Sequence, residues 1–397
     1  MAVNREEHAD VVIIGGAIVG SSVATFLASR PDFDGRIVVV ERDPSFRTAS
    51  TALSAASIRL QFSTPLNIEI SRFGLDVVRH PDRWLAVDGE APEVGFVENG
   101  YLFLATAAGL ATLERNHAVQ RAHDVPVVLL SPAELRARFD WMATDDLAGA
   151  SLGTASEGWF DAYALLQGFR RRARSLGVVD VTGEVVGVDV TGDRVEGARL
   201  ADGTRIGADW VVNAAGPQAA AVAAMAGVEL PVRPRTRQVY HFEAPISLGS
   251  APLIVDPSGV YVRPEGPNFL SGFTPHADDP DPDTPGLVVD RRAFESVVWP
   301  ALAHRIPSFD RLRLLDAWAG HYEVNTLDHN AIVGPHPVLG NLLFANGFSG
   351  HGLQQAPAVG RALAEWICLG RYETLDLGPL GYERVARGEP VRELNVI

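Results

Sequence analysis

The residues best placed to do chemistry open the chain. Gly15, Gly16, Ala17 and Gly20 follow directly on the apolar run Val11–Ile14, and the acid Glu41 closes the next apolar run, "RIVVVE". A glycine turn of this kind leaves backbone N–H groups pointing outward at the start of a helix, where a pyrophosphate binds. An acid about 20 residues past the last glycine can accept hydrogen bonds from ribose hydroxyls, and it disfavours a 2′-phosphate. Ala17 stands where the pattern has its middle glycine, so its methyl group crowds the pyrophosphate slightly. The spacing predicts a dinucleotide site along Gly15 to Gly20, Ile18 and Val19 included, with Glu41 and Arg42 beyond it. A second small, polar turn lies far downstream. It is "NGFSGHGLQQAP", Asn346 to Pro357, and the apolar stretch "AVGRALAEWICLG" follows it at once as a helix. This turn carries Gly347, Ser349, Gly350, His351, Gly352, Leu353 and Gln354.

Several elements must position these turns. Val11–Ile14 and "RIVVVE" read as buried parallel strands, with a helix from Ser21 to Ser29 between them. The segment Thr48–Ser57 is almost wholly Ala, Ser and Thr. It reads as a helix small enough for a flat ring system to lie on its backbone, with Ser50, Thr51, Ser54 and Ala55 at the ring's polar edge. That feature favours FAD over NAD, whose domain would run on into another βαβ unit; the alternative is an Ala/Ser helix packed on the sheet. Further on, "GVVDVTGEVVGVDVTGDRVEGARLADGTRIGADWVVNAAGP" reads as a β-meander with turns at Thr191–Asp193 and Ala201–Gly203. Before it, "DAYALLQGFRRRARSLG" is a helix with Asp161 as N-cap and Gly177 as C-cap. The segments "GYLFLAT", "RQVYHF" and "PLIVDPSGVYVRPEGPNFLSGF" read as antiparallel strands with glycine turns.

Composition narrows the function classes. A chain of 397 residues is long for one core, so two interlocked domains are expected. The net charge of −15 disfavours a nucleic-acid partner. No apolar run is long enough for a membrane span. The start "MAVNREEHAD" has neither a basic nor an apolar leader region, and Cys368 is the only cysteine, which together suit a reducing cytoplasm. All 34 basic residues are arginine, so no Schiff-base, pyridoxal or Walker lysine exists. The acidic loop "PHADDPDPDTPG" reads as solvated rather than as a metal site, and no metal is expected.

The front fingerprint, the small-residue stretch, "EGWFDAYALLQGF", "VVNAAGP" and "GFSGHGLQQAP" together resemble the D-amino-acid oxidase and sarcosine oxidase superfamily of FAD enzymes. The resemblance spans most of the chain and is weakest around residues 80–150 and 270–315. It implies an α/β fold, α+β overall. A Rossmann-type FAD domain would gather residues 1–80, 146–230 and 325–380. Interleaved with it would be a mixed or antiparallel-sheet substrate domain from 81–145 and 231–324, with 381–397 as a tail. It implies non-covalent FAD, touched also by Val185, Val186, Ala215, Gly216 and Gly334, with the late turn cradling the pyrimidine edge of the flavin.

The implied reaction is oxidation of an amine or amino acid by hydride transfer from its CH–NH carbon to flavin N5. By the same resemblance Arg59 matches an arginine that pairs with the substrate carboxylate, a task its planar fork suits. The alternative makes Arg59 a structural partner of Glu69 or of a backbone carbonyl. Gln354 falls where sarcosine oxidases carry a lysine, Tyr261 and Tyr322 border the substrate or simply pack, and Arg237 is a weaker anchor. His321 lies near a position of covalent flavin attachment and reads as unlinked, and Cys368 reads as core. No lysine stands over the flavin, and Arg263 is either its stand-in for oxygen activation or a strand-end arginine at the surface, which leans toward a dehydrogenase. The electron acceptor stays open between oxygen and another carrier. Also open are an uncharged amine or biosynthetic intermediate as substrate, and a scaffold role with FAD as a structural part.

Overall fold

Val11, Val12, Ile13 and Ile14 are enclosed because their strand, Glu6–Ile14, is paired in parallel on both sides, with Ile37–Glu41 and Arg205–Asn213. The computed structural model describes residues 6–275, 281–284 and 286–394. Around that central strand the first sheet runs Ile332–Pro335, Leu342–Asn346, Arg205–Asn213, Glu6–Ile14, Ile37–Glu41, Val179–Thr182. The meander strands Val185–Thr191 and Arg194–Leu200 attach to it antiparallel, as their turn spacing predicts. Helix Ile18–Ala28 leaves the glycine turn and packs against the late helix Gly352–Leu369. Small residues make this approach possible. Ser22 donates its hydroxyl to the Ala356 carbonyl at 2.8 Å, and a side chain on Gly360 would run into the Ser22 backbone. Helix Ala162–Ser175 covers the same face. Its N-cap Asp161 accepts the Ala164 N–H at 2.8 Å, and Gly177 follows its end with φ +89°.

The second sheet runs Arg313–Asn325, Val232–Glu243, Asn268–Phe273, Val260–Glu265, Leu253–Val255, Tyr101–Ala105, Gly149–Gly153, Val127–Leu130. Every pairing is antiparallel except that of Leu253–Val255 with Tyr101–Ala105. Strand Gly149–Gly153 belongs here, although residues 146–230 read as one piece of the cofactor unit. The chain therefore crosses between sheets after Gly153, and a short ladder of Ser57–Ile58 with Gly158–Trp159 lies beside the crossing.

Two local expectations are corrected. Residues 48–57 form no helix. They run as successive turns, with one helical bond, Leu53 N–H to the Ala49 carbonyl at 3.2 Å, before Ala56 turns to φ +54°. Small hydroxyl residues hydrogen-bond locally in competition with a helix, as the Ser54 hydroxyl does in accepting the Ala56 N–H at 2.9 Å. The late turn is also shorter than read, because the helix starts at Gly352 and takes Pro357 inside it. Burial of that helix against Ile18–Ala28 compensates the bond a proline cannot donate. Of the acidic loop, residues 276–280 and 285 lie outside the described residues. Asp281 and Asp283 hold Arg237, Arg235 and Arg233 in ion pairs.

Candidate active site

The front turn is built for close backbone approach. Gly15 has φ +102°, and a side chain there would run into the Ala214 carbonyl. Glu41 braces the turn, one carboxylate oxygen accepting the Gly16 N–H at 2.8 Å and the other the Asp43 N–H at 2.9 Å. Ala17 makes no capping bond of its own at the start of helix Ile18–Ala28, and the first N–H, that of Ile18, donates to Thr51 Oγ1 at 3.4 Å from the small-residue segment.

A cavity of about 630 Å³ opens from this turn. Glu41, Arg42 and Asp43 border it, as do Arg237, Tyr261, His321 and Tyr322. From the front turn Gly15, Ala17, Ile18 and Val19 line it, whereas Gly16 is turned to Glu41 and Gly20 presses on the Gly15 carbonyl. Ser50, Thr51, Ser54 and Ala55 line it, as do Val185, Ala215 and Gly216. Val186 points the other way along its strand and is 49% exposed, and Gly334 packs under the Tyr372 hydroxyl. From the late turn Gly350, Gly352 and Leu353 reach the wall. Gly347, Ser349, His351 and Gln354 stand behind them. Gly347 donates its N–H to Glu323, Ser349 accepts the Asn325 N–H at 3.0 Å, and His351 packs edge-on to Phe62.

Arg59 is not on the wall. It is 1% exposed, and its guanidinium donates to the Gln61 carbonyl, meets His351 Nε2 at 3.0 Å and lies over the Phe62 ring at 4.1 Å. Gln354 Oε1 accepts its backbone N–H at 2.9 Å. The phenols of Tyr101 and Tyr322 lie within electrostatic reach of Arg59, and Tyr261 within reach of both phenols. Burial lowers the pKa of Arg59, while Glu393, Tyr101, Glu157 and Tyr322 oppose the shift. Burial, reinforced by Arg59, pushes the His351 imidazole well down, so it stays neutral where Arg59 is charged. Behind this group Glu157 is fully buried and accepts the N–H groups of Leu60 at 2.8 Å and Gln61 at 3.0 Å.

Other candidates are engaged by neighbouring groups. Arg263 is buried, bonded to the Ala55 carbonyl at 2.9 Å and paired with Glu265. His321 Nε2 donates to the Thr284 carbonyl at 2.7 Å. Cys368 lies on the late helix, away from the cavity wall. Among the described residues no cluster of His, Cys, Asp or Glu is placed to hold a metal. Three residues escaped the sequence reading. Tyr101 was hidden in an ordinary apolar strand, and Phe46 ahead of the small segment lines the cavity. Glu323 also lines it, although strand alternation alone would send Glu323 away from Tyr322.

A family model described as FAD dependent oxidoreductase (DAO) matches residues 10–366. The chain belongs to the DAO family of FAD-dependent oxidoreductases. FAD is thus the cofactor of this DAO-family enzyme. The residues present fit it: a glycine turn that admits phosphates, an acid at the ribose distance, and a long cavity lined in part by aromatic side chains. The enzyme is 41% identical over 422 residues to FAD-dependent oxidoreductase domain-containing protein 1 of Bos taurus, across 98% of this chain and 87% of that one. It is 27% identical to glycine oxidase of Geobacillus kaustophilus, across 94% of this chain and 97% of that one. Its fold superposes on L-proline dehydrogenase from P. horikoshii with a TM-score of 0.85 at 26% identity, covering 98% and 100% of the two chains. Among the described residues no helix is long and apolar enough to cross a membrane.

Proposed function

We propose that this enzyme oxidises the CH–NH bond of an α-amino acid, with N-alkyl amino acids of the sarcosine or proline kind as the leading class. One observation carries the reading. Tyr261 and Tyr322 line the cavity, and the buried cation Arg59 lies within electrostatic reach of Tyr322 and of Tyr101. Phenol hydroxyls can donate to a carboxylate, and a nearby fixed cation in a poorly solvated site favours that charge. The similarity to glycine oxidase and L-proline dehydrogenase, both named for amino acids, points the same way.

In this reading Glu41 and the front turn hold the adenosine and pyrophosphate half of FAD. The turns at 48–55 and 350–353 hold the ring. When bound, FAD supplies a ring that accepts hydride. The chain's own tasks are then to orient the substrate's C–H bond and to exclude water. The phenols of Tyr261 and Tyr322 place the carboxylate, and Arg59 supplies the charge that attracts it. His351, neutral and packed on Phe62, holds the guanidinium in place.

The test is an anaerobic panel of sarcosine, L-proline, glycine, D- and L-alanine and simple alkylamines, read by bleaching of the flavin absorbance. At least one amino acid should bleach it, and the matching decarboxylated amine should not. Arg59→Met should keep its FAD and weaken the amino acid by about 2–5 kcal/mol. Bleaching by amines and amino acids alike would sink the proposal, and so would loss of FAD from Arg59→Met.

A further inference from the structure

Glu323 lines the cavity beside the late turn, and the proposed reaction gives it no task. We infer that Glu323 is kept in its neutral form against the bound flavin as a hydrogen-bond donor, so that FAD binding requires its proton. The inference rests on the reading above that the late turn holds the ring.

The geometry points to it in three ways. First, Glu323 lines the cavity beside Tyr322, Phe348 and Gly350, and it is half-buried. Its remaining exposed surface adjoins the cavity, and a bound ring would cover it. Second, it is tied to the late turn at both ends. Its Oε2 accepts the Gly347 N–H at 3.1 Å, and its backbone carbonyl accepts the Ser349 N–H at 3.2 Å. The carboxyl group is therefore held beside the turn and cannot swing into solvent without breaking it. Third, the cations near it are engaged elsewhere. On the adjoining strand Val232–Glu243, Arg233, Arg235 and Arg237 are ion-paired with Asp281 and Asp283. On its own strand His321 donates to Thr284, and from the turn His351 faces Arg59. Beyond the strand's end Asp328 pairs with Arg384, and burial keeps His329 toward its neutral form.

Among the described residues no cation holds it ionised, and burial decides. It raises the Glu323 carboxyl to about 8, against the pull of the Gly347 and Phe348 N–H groups. Covering the cavity with a ring removes the water that remains and strengthens the preference. A carboxylic acid kept neutral in this way donates a hydrogen bond. Once ionised, it would set a negative charge against the end of the ring that gathers negative charge on reduction.

The experiment uses apoprotein stripped of flavin and titrated with FAD, followed by flavin fluorescence on both sides of pH 8. The wild type should bind with constant affinity at lower pH. Above the carboxyl's pKa, Kd should rise by about tenfold per pH unit, as one coupled proton requires. Glu323→Gln, a neutral donor at every pH, should bind FAD with that pH dependence abolished. Infrared spectra of the holoprotein at neutral pH should show a protonated-carboxyl C=O band that Glu323→Gln lacks. Equal pH dependence in both proteins, a flat wild-type profile or absence of the band would each overturn the inference. No amino acid enters these measurements, so failure of the substrate proposal is read separately in the bleaching panel. Failure of the ring placement would show as full FAD retention in Gly350→Ala.

Discussion

Gln354 Oε1 accepts the backbone N–H of Arg59 at 2.9 Å and so joins two segments 295 residues apart in the chain. The amide that by resemblance falls where sarcosine oxidases carry a lysine is, in the fold, a brace for the proposed anchor. The brace is tight, because a side chain on Gly74 would run into the Gln354 carbonyl. Gln354→Ala removes one partner of a buried hydrogen bond and leaves the Arg59 N–H unsatisfied. The expected cost is about 1–3 kcal/mol of stability, seen as a lower Tm. In anaerobic flavin reduction the substrate constant should rise while FAD content stays near one per chain. Loss of flavin with unchanged substrate binding would return Gln354 to a direct role at the ring.

Gly350 should be indispensable. Its φ is +98°, and a methyl group there would overlap the Tyr322 ring. Gly350→Ala must therefore either distort the late turn or displace a tyrosine at the substrate end. Purified Gly350→Ala is expected to carry substoichiometric FAD by absorbance and to melt at a lower temperature than wild type.

Stability should depend on pH through Glu157. Burial raises its carboxyl from 4.5 to about 7, although Gln61 and the Leu60 N–H pull it down. The folded state thus holds a proton that the unfolded state releases. The resulting stabilisation is complete below about pH 4.5 and is lost as pH climbs through about 7. It is on the order of 3 kcal/mol. Urea unfolding of wild-type and Glu157→Gln apoprotein at a series of pH values should show this decline as the difference between the two. The slope that remains combines Glu323, whose carboxyl is raised in the same direction, with His329, His336 and His351, whose lowered values act in the opposite direction.

Acid precipitation should release the flavin into the supernatant. His321 borders the cavity, but its Nε2 is engaged by the Thr284 carbonyl, and Cys368 does not reach the wall. Yellow colour retained in the washed pellet would show a covalent link, and His321→Ala would then identify its site.

Some of this architecture is local and was legible in the chain. The β-branched run Val11–Ile14, the turn at Gly15, the acid Glu41, the meander turns and the Asp161 cap all depend on residues a few positions apart. The segment 48–57 misled because Ala favours a helix while Ser and Thr compete for its backbone bonds, and only the packing around it settles the contest.

By itself the sequence determined the front glycine turn between two buried parallel strands, the Asp161 cap and the meander turns. Each follows from backbone conformations that only certain residues adopt. The tertiary structure alone decided that Arg59 stands behind the cavity wall with Tyr101, Tyr322 and His351, and that Glu323 faces the cavity beside the late turn. Burial and electrostatic neighbourhood are properties of the folded interior. They are set by side chains brought together from hundreds of positions apart, and no local pattern of residues encodes them.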